Sequence, residues 1–170
     1  MIEYPIGASG QVVALTAQPL AHFAAHRQTS WWHREAGGQL FARFNDTRIV
    51  VELATGPHRS DRRARYSFEP DPIAQQREID EQFERGLLFV GDWHSHPENV
   101  PSPSITDANS IADCVRRSRH KLNGFILVIV GRRPAPAGLS LSIADERQIH
   151  PLTPAGSADV ASESPPKAHS

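Results

Sequence analysis

A short segment of the chain, GDWHSHPENVPSPSITD at residues 91–107, combines two histidines, an aspartate and several turn-forming residues. It begins directly after the apolar run LLFV, which is typical of a buried strand. Side chains on a strand alternate between the two faces of the sheet, so His94 and His96 are predicted to share one face while Ser95 points to the other. The two imidazoles can therefore converge on one point.

Asp107 is predicted to join these two histidines. Pro97 stops the strand, the loop through Pro103 turns the chain, and Asp107 falls in the first turn of the next predicted helix. Two neutral nitrogens and one carboxylate oxygen form a ligand set that suits a tetrahedral divalent ion, above all Zn²⁺. Such a set leaves the fourth position for water, which indicates catalysis rather than a structural metal site.

The same residues also allow structural interpretations. Ser104 and Asp107 match a helix capping box, in which each side chain bonds a free backbone N–H of the first turn. A His-x-His pair is more often two polar side chains at the end of a sheet than a metal site. The two patterns occur together, with seven residues between His96 and Ser104 and two between Ser104 and Asp107, and this combination favours the metal site.

Composition limits the class of protein. The chain has 170 residues, enough for one domain with its own core, and its 18 Lys+Arg balance 19 Asp+Glu. A net charge of -1 gives no overall attraction to nucleic acid or to an anionic membrane, so neither is predicted as a partner. The single cysteine, Cys114, cannot form an internal disulfide, and the start MIEYPIGASG lacks the pattern of a secretion signal. A reducing cytoplasm is the predicted location, and no apolar run approaches the ~20 residues that cross a bilayer.

Apolar spacing and turn residues predict three helices and six strands without a regular βαβ repeat. The predicted helices cover about 17–28, 71–86 and 104–118, and the predicted strands cover 37–44, 48–56, 64–70, 87–96, 124–131 and 139–146. This order predicts an α+β fold, with a mixed, mostly antiparallel β-sheet flanked by helices. A single domain is expected over residues 1–150. The Pro/Ser/Ala-rich residues 151–170 are expected to be a disordered tail.

Local patterns predict whether several other side chains lie in the core, on the surface or at a site. The apolar residues expected to face the core on the second and third helices are Ile73, Ile79, Phe83, Ile105, Ile111 and Val115. Trp31 and Trp32 are expected to pack in the core rather than face a substrate groove. His22 and His26 are expected on a polar helix face rather than at a metal. The arginine-rich run HRSDRRARY is expected to be a solvated loop, and Cys114 a buried small residue rather than a nucleophile.

The sequence resembles the JAMM (JAB/MPN) zinc metalloprotease family. The resemblance rests on His94-Ser95-His96-Pro97, a spacer, and Ser104-Ile105-Thr106-Asp107. It also includes Glu35, which precedes two glycines in REAGGQLFARF and matches the family's upstream glutamate. The predicted order of elements is similar to the family's fold over roughly residues 10–150.

The resemblance implies a catalytic site. Zn²⁺ would be held by His94, His96 and Asp107, Glu35 would be the general base, and Ser104 would help to hold the oxyanion. A carboxylate within hydrogen-bond reach can take a proton from water and pass it to a leaving amine, which suits Glu35. Without the resemblance, Glu35 would be read as a surface carboxylate and Ser104 as an N-cap.

The resemblance also implies a substrate. In this family the amide is often the isopeptide between the C-terminus of a ubiquitin-like protein and a lysine. Trp93 before the HSHP sequence and Glu98 after it are similar to the compact bacterial members encoded beside E1- and E2-like enzymes in antiphage defence islands. The predicted partners are therefore a ubiquitin-like protein or its conjugate and the E1/E2-like enzymes.

Two other functions remain open from the sequence. A peptidase that releases an amino acid from the C-terminus of a sulfur-carrier protein would keep the same site and differ only in its substrate groove. A non-catalytic MPN-type scaffold would bind partners without chemistry. Such scaffolds are usually degenerate at the ligand positions, and this chain is not.

Overall fold

The computed structural model describes residues 1–118, 120 and 122–156. Within this part of the chain, ten strands and three helices follow one another. They are β1 Ile2–Pro5, β2 Val12–Leu15, α1 Ala17–Ala25, β3 Gly37–Asn45, β4 Arg48–Ala54, β5 Arg62–Arg63, β6 Phe68–Glu69, α2 Pro72–Glu84, β7 Leu88–Ser95, α3 Ile105–Arg117, β8 Phe125–Val130, β9 Leu139–Ala144 and β10 Ile149–Leu152. In the described residues, no helix combines the length and the apolar character needed to span a membrane.

One eight-stranded sheet forms the centre of the molecule, in the order β1-β2-β4-β3-β7-β8-β9-β10. Of its seven neighbouring pairs, five are antiparallel, and only β2–β4 and β7–β8 are parallel. The strands β5 and β6 form a separate two-stranded hairpin. The predicted α+β fold with a mixed, mostly antiparallel sheet flanked by helices is confirmed.

The central strand β8 is buried on both faces, since all six residues of its sequence FILVIV are buried. Its alternate side chains enter two different apolar clusters. Ile126 and Val128 lie in the cluster that contains Phe23 of α1, while Leu127 lies in the cluster that contains Ile111 of α3. The period of two along the strand therefore fixes which side chains of β7, its parallel neighbour, face α1 and which face α3.

The predicted helices and the β3–β4 hairpin are present, with small differences at their ends. Asp46 adopts a left-handed φ of 45° in the hairpin turn, and the Asp71 side chain caps α2 as expected. Helix α1 ends at Ala25, earlier than predicted. There the His26 Nδ1–H donates to the His22 carbonyl at 2.8 Å. The His26 backbone N–H donates to the Phe23 carbonyl, three residues back, in a turn tighter than that of an α-helix.

Four short strands were not predicted from the sequence. The strands β1, β2 and β10 have four residues each and β5 has two, too few for a periodic signal. The predicted domain boundary at residue 150 falls inside β10, whose Pro151 and Leu152 pair with β9. Beyond it, the Ala155 N–H donates to the Glu3 carbonyl at 2.8 Å. The rest of the expected tail, residues 157–170, lies outside the described residues.

The predicted core positions on the helices are only partly correct. Ile111 and Val115 are buried as expected, but Ile73, Phe83 and Ile105 are 71%, 66% and 82% exposed. On helix α2, Ile73 and Phe83 face solvent, and the inner side of the helix meets polar groups instead. There the Glu78 carboxylate accepts a hydrogen bond from the Thr55 hydroxyl at 2.7 Å, and Gln82 is the buried residue of the helix.

The predicted burial of Trp31 and Trp32 is wrong. Their exposed fractions are 75% and 64%, and they stack edge to face on each other at 5.7 Å between ring centroids. They lie in the irregular connection between α1 and β3, outside both core clusters. The bias of large aromatic residues toward the core does not apply to a loop that the core does not reach.

Cys114 on α3 should react slowly with thiol reagents. Burial, helped by the neighbouring Asp92 carboxylate, raises the pKa of its thiol to about 12. Against an ordinary thiol pKa of ~8.5, this lowers the thiolate fraction at pH 8 roughly a thousandfold. We expect native protein to be labelled by iodoacetamide about a thousandfold more slowly than protein unfolded in urea. Since Cys114 is the only cysteine, total labelling followed by mass spectrometry is sufficient. Equal native and unfolded rates would contradict this assignment.

Candidate active site

The two histidines leave the sheet at the end of β7. Residues of β7 pair in register with β8, so that Trp93 lies beside Val128 and His94 beside Ile129. Trp93 consequently packs in the cluster with α1, while His94 lies on the face of α3. The rings of His94 and His96 lie 5.0 Å apart between centroids, and Ser95 is fully buried on the opposite face. The predicted alternation along this strand is correct.

The start of α3 brings Asp107 to the two rings. The His94 Nε2 lies 2.9 Å from Asp107 Oδ1, and the His96 Nε2 lies 3.4 Å from Asp107 Oδ2. Burial alone would raise the pKa of Asp107, but the hydrogen bond and the electrostatic interaction with His94, together with bonds from Ser104, outweigh it and lower this pKa to about 2. Asp107 is therefore a carboxylate at neutral pH.

The chemistry of this donor set fits a divalent metal ion. Ligand atoms of Glu35, His94 and His96 all lie within 4.8 Å of one another, and Asp107 contacts both rings. The four side chains are only 9% to 13% exposed. Burial and then the neighbouring His94 lower the pKa of His96, which favours the neutral imidazole that metals bind.

Glu35 lies on the irregular segment that precedes β3 and is buried, with 7% of its surface exposed. Its Oε1 is 4.0 Å from His96 Nε2. Burial raises the pKa of the Glu35 carboxyl to about 7, with His94 opposing the shift and Asp107 adding to it. A carboxyl with a pKa near neutral can both accept and release a proton.

Ser104 caps α3 as its sequence suggests. Its Oγ accepts from the Asp107 N–H at 3.2 Å, and its own N–H donates to Asp107 Oδ2 at 2.6 Å. These bonds form the complete predicted capping box. Ser104 also lines the cleft that contains Glu35, so the structure brings all five predicted site residues to one place.

The glycines after Glu35 allow close packing at the start of β3. A Cβ at Gly38 would collide with the Thr55 carbonyl oxygen, and one at Gly37 would lie 2.6 Å from the Phe68 ring and 2.9 Å from the Trp93 carbonyl oxygen. Contacts below 3.0 Å are not tolerated by real Cβ atoms. The small-residue pair is therefore required by the tight approach of β3 to its neighbours beside the site.

Ser95, between the two histidines, was not identified from the sequence as a site residue. Its N–H donates to the Ala36 carbonyl at 2.7 Å, and its Oγ accepts from the Ala36 N–H at 2.9 Å. The Ser95 hydroxyl in turn donates to Gln28 Oε1 at 3.2 Å. Ser95 thus ties the strand that carries the histidines to the residue next to Glu35. The sequence did contain one indication of this role, since Ser95 is a small polar residue predicted to point away from the histidines, on a strand predicted to be buried.

The predicted solvated arginine loop is also partly wrong. Arg62 and Arg63 form β5, and Arg63 is half-buried because its Nε–H donates to the Glu35 carbonyl at 2.7 Å. No local pattern marks a contact across 28 residues of sequence. Arg62, in contrast, is exposed as expected.

His22 and His26 lie away from the site. Their rings pack against Trp93 at 5.2 Å and 5.5 Å between centroids, on the α1 side of the sheet. The His22 Nε2–H donates to the Gly56 carbonyl at 2.8 Å. They support the core beneath the site and do not form a polar face directed to solvent.

The site opens into a cleft of about 700 Å³. One wall is formed by α3 and the loop after the histidines, and the other by residues 66–70 around β6. Glu35, His94, His96 and Asp107 all line it. The candidate metal ligands and Glu35 are therefore accessible from the surface through this cleft.

Replacing Ser95 with alanine should destabilise the fold. Ser95→Ala leaves the Ala36 N–H buried without its acceptor, and an unsatisfied buried donor costs about 1–3 kcal/mol. We expect the free energy of unfolding in urea to fall by that amount. Ser142→Ala is the matched control, since Ser142 is fully buried but its Oγ has no hydrogen-bond partner in the described part of the chain. A similar loss in both variants would show that the Ser95 hydrogen bonds contribute nothing specific.

Comparisons with known proteins agree with this geometry. The model of the family described as prokaryotic homologs of the JAB domain matches residues 16–144. A Pseudomonas aeruginosa protein named CD-NTase/cGAS isopeptidase is 34% identical over 116 residues, covering 66% of this chain and 73% of its own. A Sinorhizobium fredii protein named "Probable metalloprotease" is 34% identical over 112 residues, covering 61% of this chain and 67% of its own.

The fold is also found among solved structures. The solution structure of a Desulfitobacterium hafniense protein superposes with a TM-score of 0.60 at 20% identity, covering 82% of this chain and 88% of that one. At this identity the likeness concerns the fold alone. The family match spans the strands and helices that bring the histidines, Asp107 and Glu35 together. The chain therefore belongs to the prokaryotic JAB-domain (JAMM/MPN) family and is a metallopeptidase.

Proposed function

We propose that this chain is a zinc-dependent isopeptidase in which His94, His96 and Asp107 hold the ion and Glu35 is the general base. The observation that carries the proposal is the convergence of two imidazoles and two carboxylates at the base of one open cleft. Two nitrogens and one oxygen are a typical ligand set for catalytic zinc. The second carboxylate then remains for proton transfer.

The residues of the chain divide the chemistry between them. A divalent ion held at this position would lower the pKa of a bound water and polarise the carbonyl of the scissile amide. Glu35, whose pKa burial raises to about 7, accepts a proton from the attacking water and returns it to the departing amine. The Ser104 Oγ is an acceptor in the capping box, so its O–H is available to donate to the oxyanion.

The proposed substrate is an isopeptide between the C-terminus of a conjugated protein and a lysine. An extended C-terminal tail fits a cleft bordered by a strand, where main-chain hydrogen bonds can hold it. A ubiquitin-like protein is one candidate for the conjugated protein. A CD-NTase is the second candidate for the conjugated protein, because the Pseudomonas aeruginosa relative is named CD-NTase/cGAS isopeptidase. The proposal extends to a cytoplasmic conjugation system with E1- and E2-like enzymes that acts in antiphage defence.

Cleavage assays with matched variants test this proposal. Substrates would be a CD-NTase and a ubiquitin-like protein, each joined through its C-terminus to a lysine, and a sulfur-carrier protein with a C-terminal amino-acid extension. We expect Glu35→Gln to lower kcat by about 10²–10⁴-fold because it removes the proton acceptor. Bound zinc, measured by mass spectrometry, should stay at wild-type level in Glu35→Gln and be lost in His94→Ala.

The control is Glu84→Gln, which removes an exposed carboxylate of α2 away from the site. It should cleave at the wild-type rate. Wild-type kcat in Glu35→Gln would refute the general base, and full zinc in His94→Ala would refute the ligand set. Zinc-loaded wild type that cleaves only the extended sulfur-carrier protein would replace the isopeptidase by an amino-acid-releasing peptidase. Zinc-loaded wild type that cleaves none of the three substrates would refute the isopeptidase proposal.

A further inference from the structure

The position of Glu35 is not set by a helix or a strand. Residues 33–36 form an irregular segment between α1 and the first residue of β3. A carboxylate that takes part in proton transfer must stay within hydrogen-bond reach of the reacting atoms, so its backbone must be held from elsewhere. The contacts that hold this backbone therefore bear directly on catalysis.

Both main-chain polar groups of Glu35 are bonded to the β5–β6 hairpin. The Glu35 N–H donates to the Ala64 carbonyl at 2.7 Å, and the Glu35 carbonyl accepts from Arg63 Nε–H at 2.7 Å. The Arg63 Nη2 also donates to the Arg34 carbonyl at 3.4 Å. Two consecutive residues of the hairpin, Arg63 and Ala64, therefore bond the two peptide groups that flank the Glu35 Cα.

We propose that Arg63 is a positioning residue that fixes the Glu35 backbone and so keeps its carboxylate directed toward the candidate metal ligands. This inference rests on the proposed role of Glu35 as general base. Arg63 itself does not line the cleft, so it acts through Glu35 and not on the substrate.

The geometry favours arginine at this position over lysine. The guanidinium group is planar and carries several N–H donors in a fixed arrangement, so it can bond two successive carbonyls, those of Arg34 and Glu35, at once. A lysine ammonium is a point charge on a flexible stem and lacks that arrangement. The adjacent Arg62 differs, since it is exposed and only approaches Glu69 at 3.8 Å across the hairpin.

The hairpin is itself anchored to the body of the protein. Asp61, just before β5, accepts from the backbone N–H groups of His58 at 2.5 Å and Asp71 at 2.8 Å. On the other side, the Gln28 side chain donates to the Arg65 carbonyl at 2.9 Å and also contacts Ser95. Because residues on both sides of β5 are bonded to the rest of the protein, Arg63 has a fixed position and can hold the Glu35 backbone in place.

The test compares Arg63→Ala and Arg63→Lys with Arg62→Ala as the matched control. The first readout is amide hydrogen exchange at Glu35, measured by NMR, which needs no substrate. We expect at least a tenfold faster exchange of the Glu35 N–H in Arg63→Ala, a smaller effect in Arg63→Lys, and no change in Arg62→Ala. The Ser95 N–H, bonded to Ala36, should exchange at the wild-type rate in all three.

The second readout is steady-state kinetics on whichever substrate the wild type cleaves. A displacement of about 1 Å at a reacting group can cost ~100-fold, so we expect kcat of Arg63→Ala to fall roughly 10- to 100-fold with KM within twofold of wild type. Bound zinc should not change. Arg63→Lys should recover part of the lost kcat.

Each outcome decides the proposal. Wild-type exchange at Glu35 together with wild-type kcat in Arg63→Ala would overturn it, and so would a loss that appears only in KM or in bound zinc. General unfolding of Arg63→Ala would appear as faster exchange at the Ser95 N–H. In that case the exchange rate at Glu35 and the kcat of Arg63→Lys decide whether Arg63 positions Glu35. If the wild type cleaves none of the substrates, the proposed function fails, whereas the exchange rate at Glu35 still shows whether Arg63 holds it.

Discussion

The antiparallel pairing between the start of β3 and the end of β7 is the contact on which the site depends. Gly37 lies opposite His94 in the register, and just beyond it Ser95 and Ala36 exchange hydrogen bonds through backbone and side chain. This pairing sets the segment before β3 beside the end of the histidine strand, which is why Glu35 lies 4.0 Å from His96. A shift of one residue would turn the side chains of one strand to the opposite face of the sheet.

Asp107 shows that the two interpretations offered by its sequence context are compatible. One carboxylate oxygen accepts the Ser104 N–H as part of the capping box, while the other lies 2.9 Å from the His94 ring. The helix cap therefore orients the carboxylate toward the histidine rings, as the proposed ligand set requires. Preorganisation of this kind lowers the cost of ordering a ligand set, because the side chain has already lost its rotamer freedom on folding.

Local patterns in the sequence correctly predicted the features that depend on the periodicity of a single strand or helix. The alternation of His94 and His96 and the position of Asp107 in the first turn of α3 follow from backbone geometry, so they could be predicted directly. Glu35 was found only through a resemblance. The contacts of Arg63 and Ser95 were missed because they join residues 28 and 59 positions apart, and nothing in a local window specifies such pairs. Exposed apolar residues of α2 were misassigned since periodicity does not reveal that its inner side meets polar groups.

The exposure of Trp31 and Trp32 has an optical consequence. Of the three tryptophans, only Trp93 is buried, with its indole N–H donating to the Thr55 carbonyl at 2.8 Å. Arg65 donates both to the Trp31 carbonyl and to the hydroxyl of Tyr66, which lines the cleft, so the exposed pair lies next to the cleft wall. The intrinsic fluorescence of the protein therefore has two components. Emission from the buried Trp93 reports the integrity of the core, whereas emission from the exposed Trp31 and Trp32 is relaxed by solvent. A macromolecule that covered this wall would shift the second component to shorter wavelength.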